Sequence, residues 1–208
     1  MRLPVEPRHA YLLLNHGPVT LITSAHGGAR NVMAASWVMP MDFDPPKLVV
    51  VIDRATCTRQ LIDRSGVFGV SLPTRALAAQ ALAAGRFSAL ELERNAAVDK
   101  IDALGLKSFA GHCLDVPLIE GCAAWLECRV IHEPRIETAY DLFVAEVITA
   151  WADERYFVNG RWLGVEAGTP RPATIHYVAG GQFFDSGPLF EIEPAPLQIV
   201  PSDVLALG

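Results

Sequence analysis

Short runs of β-branched and apolar residues, set off by glycine and proline, recur along the chain and predict strands more often than helices. After Gly17-Pro18, Val19 to Ser24 reads as a strand closed by a turn at Gly27-Gly28. Its partner is expected from Asn31 to Met39. That run places Val32, Ala34, Ser36 and Val38 on one face and Asn31, Met33, Ala35, Trp37 and Met39 on the other, and neither face is plainly polar. Pro45 and Pro46 forbid a continuing central strand. Beyond them Lys47 to Asp53 is a near-continuous apolar run, typical of a strand buried on both faces.

Helical segments are fewer. Thr56 and Thr58 are placed to cap a short helix, Arg59 to Arg64, which Gly66 stops. Val67 to Leu72 reads as a fourth strand, and Thr74 opens an alanine-rich helix ending near Gly85. Between Ser88 and Val116 the pattern is irregular, with a helical patch at Ala89 to Arg94 and loop-forming Gly105 and Gly111. Cys122 to Ile131 and Leu142 to Trp151 predict two long strands that pair antiparallel about a turn containing Pro134. Ala173 to Val178 is the last strand, and Gly180-Gly181 breaks regularity before Phe183-Phe184. Strands that cluster as hairpins predict a mainly β fold, a closed or nearly closed barrel with peripheral helices outside it.

Composition narrows the function. A chain of 208 residues suits one domain, spanning 1–208, and a formal charge of -6 supplies no basic stripe for nucleic acid. The longest purely apolar run, Leu48 to Ile52, is too short to cross a bilayer, and no signal peptide is apparent, so a cytoplasmic protein is expected. Cys57, Cys113, Cys122 and Cys128 lack CxxC spacing and are expected as free thiols. The six histidines lack ligand spacing, so no metal site is expected, and no G-x-S-x-G element supports a hydrolytic triad. The start of the first helix does suggest chemistry. Its unpaired amides, the Thr56 and Thr58 hydroxyls and nearby Arg54 make an anion site, although an ordinary helix cap explains the threonines as well.

Five pieces recur in a familiar order: Gly17-Pro18-Val19; Asn31-x-Met33-x-x-Ser36-Trp37; Asp44-Pro45-Pro46 with Val49 to Asp53 and Thr56-x-Thr58; Val98-Asp99-Lys100; and Phe143-x-x-Glu146-Val147. In order and spacing they resemble the flavin reductase-like family, in its flavoredoxin-like branch, over about residues 11–185, which leaves 186–208 as a C-terminal extension. The resemblance implies an FMN-binding split β-barrel. It also implies roles. Asn31, Met33, Ser36 and Trp37 would line the isoalloxazine, and Asp53, Arg54, Thr56 and Thr58 would hold the ribityl chain and phosphate. Lys100 and, more weakly, Ser88 would stand at the phosphate end. Where many members carry G-D-H before their F-x-G-E-V strand, this chain reads Thr138-Ala139-Tyr140, which leaves Tyr140 as the weak candidate for a catalytic side chain.

The family's pattern therefore implies an NAD(P)H:flavin oxidoreductase-like enzyme in which FMN carries the electron or hydride, with NADH or NADPH as partner and a homodimer as the assembly. The missing histidine leans toward an alternative, an electron carrier of the flavoredoxin type that serves a redox partner protein. A cofactor-free barrel for another small apolar ligand is the third reading.

Overall fold

The chain was analysed as a computed structural model, which describes residues 17–88, 99–163 and 174–188 together with 190, 192 and 194. Strand β1 (Thr20–His26) turns through Gly27-Gly28 into β2 (Ala29–Ala35), with Ile22 opposite Met33 and Ser24 opposite Asn31. A second hairpin joins β3 (Val38–Phe43) to β4 (Pro46–Val51). Helix α1 (Cys57–Ser65) leads to β5 (Val67–Leu72), and a turn of 3₁₀ helix at Arg75–Leu77 precedes α2 (Ala78–Arg86). After the short α3 (Lys100–Ala103) come β6 (Ser108–Ala110) and β7 (Pro117–Ile119), which pair with each other. Then follow β8 (Ala124–Ile131), α4 (Pro134–Tyr140) and β9 (Leu142–Ala152). Two small hairpins complete the described chain: β10 (Phe157–Val158) with β11 (Arg161–Trp162), and β12 (Ile175–Ala179) with β13 (Gln182–Asp185).

Seven strands form one antiparallel sheet in the order β2-β1-β5-β8-β9-β4-β3. Its two edges, β2 and β3, are consecutive in sequence and separated only by Ser36 and Trp37. Three peptide steps reach about 11 Å at most, so the sheet must curl until its edges meet at that corner. The result is a barrel with helices outside it, as expected. The single strand predicted from Asn31 to Met39 is thereby corrected: the apolar alternation is continuous, but the chain changes sheet edge within it.

Two apolar cores sit on opposite sides of the sheet. Inside the barrel lie Ile22, Val50, Ile52, Phe68, Phe143 and their neighbours, while Leu21, Val32, Ala81, Ala84, Ile101 and Ile175 form a second layer under α2, α3 and β12. Alternation along β1 explains the division, since Leu21 and Ile22 point to opposite faces and both are fully buried. Each fully buried side chain of this size is worth about 1.5–3 kcal/mol relative to exposure. β7 crosses close over the sheet, and Gly69 permits it: a Cβ there would lie 2.6 Å from Thr23 Oγ1 and 2.8 Å from Leu118 Cδ2. The Thr23 hydroxyl donates to the Pro117 carbonyl across the same gap.

Other boundaries shift for local reasons. Pro134 opens a helix rather than a turn, because its missing N–H costs nothing at the first helical position. Helix α1 begins two residues earlier than expected, with Thr56 as its cap and Thr58 inside its first turn. Gly180-Gly181 forms the turn of a hairpin that continues through Phe183-Phe184. The helical patch expected at Ala89 to Arg94 falls outside the described residues. None of the four cysteines is in a disulfide. Among the described residues no helix is long and apolar enough to cross a membrane.

Candidate functional site

The start of α1 is built by side chains that fold back on their own backbone. Asp53 Oδ1 accepts from the Ala55 amide at 2.7 Å, and the Thr56 hydroxyl donates to the Asp53 carbonyl at 2.8 Å. The same Thr56 oxygen accepts from the Arg59 amide at 3.2 Å, which makes it the N-cap. Behind this turn Arg59 is buried and ties α1 to the barrel: its guanidinium lies 4.3 Å from the Phe143 ring centroid, pairs with Asp63 at 2.8 Å and reaches Asp141 at 3.3 Å. The helix start is thus tied to the turn before it and to the barrel behind it.

Next to it, β2 contributes Asn31, which is buried. Its amide Nδ2 donates to Thr58 Oγ1 at 2.9 Å, yet its carbonyl Oδ1 is buried with no hydrogen-bond partner. Because the Thr58 oxygen is the acceptor in that pair, its hydroxyl proton remains available to donate. From the other side comes Lys100, only 4% exposed. Its Nζ donates to the Ala84 carbonyl at 2.8 Å, at the carbonyl end of α2. Burial pushes its pKa down to about 8, with Cys57 acting in the opposite direction.

These groups surround one cavity of about 290 Å³, walled also by Met33, Cys57, Arg86, Phe87 and Ser88. A second, more apolar cavity of about 230 Å³ adjoins it through Ala34, Gly85 and Arg86. Its walls include Ser36, Leu82, Tyr177 and Phe183, the last two rings meeting edge to face at 5.4 Å. An orphaned buried carbonyl, a buried ammonium, two hydroxyls and a helix N-terminus around one hollow are suited to a ligand with an anionic end and several hydroxyls.

Seven of the residues singled out in the sequence meet at the first cavity: Asn31, Met33, Asp53, Thr56, Thr58, Ser88 and Lys100. Ser36 lies on the adjoining one. Three do not join them. Trp37 stands 53% exposed at the corner between β2 and β3. Arg54 turns away, with Nε on Asp141 at 3.1 Å and Nη2 on the Thr138 carbonyl at 2.6 Å. Tyr140 ends α4 and is 70% exposed, on neither cavity. Sequence reasoning missed Arg86 and Cys57. Arg86 closes an alanine-rich helix, where a basic residue is ordinary, and Cys57 sits between the two threonines without a motif of its own. Among the described residues no cluster of three or more His, Cys, Asp or Glu could hold a metal ion.

Comparison with known proteins identifies relatives of this fold. A profile of the flavin reductase like domain matches residues 13–162. An uncharacterised protein of Escherichia coli K12, YddH, is 38% identical over 188 residues, covering 89% of this chain and 95% of its own. Among solved structures, an FMN-binding domain of a flavin reductases-like enzyme from Shewanella baltica OS155 superposes with a TM-score of 0.78 at 42% identity, covering 91% of this chain and 96% of that one. Flavoredoxin of Desulfovibrio vulgaris (Miyazaki F) shares the fold, with a TM-score of 0.74 at 22% identity over 92% of this chain and 97% of its own.

Proposed function

This chain belongs to the flavin reductase-like domain family, and from that premise we propose that it binds FMN and works as an NAD(P)H:flavin oxidoreductase-like flavoprotein. When bound, FMN supplies the electron or hydride transfer, and the protein supplies position and electrostatics. One observation carries the reading: the buried Lys100 ammonium, the Asn31–Thr58 pair and the α1 N-terminus share a cavity. The residues fit the cofactor. Lys100, the Thr56 and Thr58 hydroxyls and the first amides of α1 would hold the phosphate, while the unpartnered Asn31 carbonyl offers an acceptor for a ribityl hydroxyl. Met33 would give apolar cover. Four cysteines in no disulfide suit a cytoplasmic setting.

The test is direct. The purified protein should be yellow, and FMN fluorescence should be quenched on titration. A Thr56→Ala, Thr58→Ala double variant should bind FMN roughly tenfold to a hundredfold more weakly, since a hydrogen bond to a charged group is worth about 1.5–3 kcal/mol. A folded variant with unchanged affinity would refute the placement, and a protein that takes up no flavin would leave the cofactor-free barrel.

A second reading, a flavoredoxin-type carrier serving a redox partner protein, is favoured by Tyr140. It stands in sequence where many relatives carry histidine, and its phenol is exposed and away from both cavities. At that position the chain offers no imidazole able to donate from either nitrogen. A homodimer completes the proposal. Trp37, Met39, Met41 and Phe43 are all exposed on the edge strand β3 and its approach, Phe43 at 98%. Four exposed large apolar side chains gathered at one sheet edge are a surface a second copy would cover.

A further inference from the structure

Cys57 is the first residue of α1 and lies in the wall of the cavity, half-buried and in no disulfide. The positive end of the helix and the nearby Lys100 ammonium both favour a negative sulfur there. The interaction is mutual, because whatever a thiolate does to the ammonium the ammonium does to the thiolate. Arg86 adds a second cation to the same wall and has no hydrogen-bond or ion-pair partner among the described residues. The unpartnered buried carbonyl of Asn31 independently marks the hollow as one that receives a ligand. The other cysteines differ. Cys122 and Cys128 are fully buried, and burial pushes the Cys122 thiol up to about 12 and the Cys128 thiol higher still, while Cys113 is exposed on a loop and lines neither of the two cavities described above.

We infer that Cys57 is a thiol–disulfide exchange site for small anionic disulfides, and that the mixed disulfide formed there closes the flavin cavity. The exchange consumes nothing beyond the disulfide. The Cys57 thiol gives its proton to solvent, the thiolate attacks one sulfur of RS–SR, the S–S bond breaks, a Cys57–S–S–R bond forms, and RS⁻ leaves with the displaced electron pair. A second thiol reverses the reaction in the same way. The wall sets two cations, Lys100 and Arg86, against one carboxylate, Asp53, and that excess of positive charge makes carboxylate-bearing disulfides the favoured reagents. Only the closure step rests on the FMN reading; the reactivity of Cys57 does not.

The experiment uses the full chain with Cys113→Ser, which removes the exposed thiol. The anionic disulfide 5,5′-dithiobis(2-nitrobenzoate) and the cationic disulfide cystamine are mixed with flavin-free protein, and the labelled cysteine is identified by peptide mass. Each rate is normalised to that of free cysteine. The expected result is one labelled residue, Cys57, with the anionic probe favoured at least tenfold. Lys100→Met should cut that preference severalfold, and Lys100→Arg, which keeps the charge, should restore it. Labelling at another cysteine, or no preference for the anionic probe in the Cys113→Ser chain itself, overturns the assignment whether or not the Lys100 variants fold. FMN affinity is then read by fluorescence quenching in labelled and unlabelled protein. Labelled protein should lose flavin binding and regain it with dithiothreitol. Unchanged affinity after labelling overturns the closure step, whereas an unlabelled protein that never binds FMN overturns the flavin reading and leaves the reactive thiol standing.

Discussion

If the FMN phosphate sits against Lys100, flavin affinity should fall as pH rises through the lysine's pKa. In the flavin-free protein burial holds that pKa at about 8, against an ordinary value of 10.5. A dianionic phosphate beside the ammonium opposes the desolvation penalty, and a return to the ordinary value on binding is the natural expectation. The difference, 10.5 − 8, is 2.5 pH units, which bounds the total loss of affinity at roughly three hundredfold. Between pH ~7 and pH ~9.5 the same two pKa values give a loss of roughly thirtyfold, about 2 kcal/mol. The assay is FMN fluorescence quenching across that range, run in parallel on Lys100→Met, so that titrations of the flavin itself cancel. Near pH ~8, calorimetry in buffers of different ionisation enthalpy should report uptake of about half a proton on binding. Equal pH profiles for the two proteins would refute the argument, and so would proton release on binding. Stability should move the other way. Between about pH 8 and 10.5 the unfolded chain holds a proton on Lys100 that the folded chain has lost, so the flavin-free protein should become more stable with rising pH in that window.

Three further outcomes are expected. Glu127 is fully buried and its carboxylate accepts from the amides of His112, Cys113 and Leu114 at 2.5, 2.8 and 2.6 Å, so Glu127→Gln, which turns an NH₂ toward a donor, should cost about 3 kcal/mol and lower Tm by roughly 6–12 °C. An unchanged melting curve would mean that the loop draws no stability from that charge. NADH and NADPH should bleach bound FMN slowly in anaerobic stopped-flow, and Tyr140→Phe should leave the rate as it was; fast reduction that depends on Tyr140 would reinstate it as a catalytic group. A Met39→Asp, Phe43→Asp double variant should sediment at 22.6 kDa and the parent at twice that mass, and a monomeric parent with flavin bound would dismiss the dimer.

Much of this was legible in the sequence because the information is local. The strand at Val67 to Leu72, the long pair around residues 122 to 151 and the helix stop at Gly66 follow from short-range pattern and turn chemistry. The split between β2 and β3 does not, since Ser36 and Trp37 carry no breaker and the change of partner is decided by β1 on one edge and β4 on the other. Pro134 was misread because proline permits a turn and a helix start equally well. At the site, hydroxyls and a lysine could be named from their motifs. The direction of Arg54 could not, because Asp141, which captures it, is 87 residues away along the chain.

All residues lining the larger cavity fall between positions 31 and 100, yet that stretch cannot complete its own support. β4 is hydrogen-bonded on one side by β9, with Lys47 opposite Glu146, and β5 by β8. During synthesis the ribosome will therefore have released the whole ligand-binding segment long before its sheet can be assembled. Until Ala152 emerges, the nascent chain carries every group of the larger cavity on a surface with unpaired strand edges, exposed to chaperones and to premature pairing. A chain terminated ahead of β9 would hold every group that lines the larger cavity and no pocket, so, on the FMN proposal, flavin should act late in biogenesis, capturing the finished barrel rather than templating it.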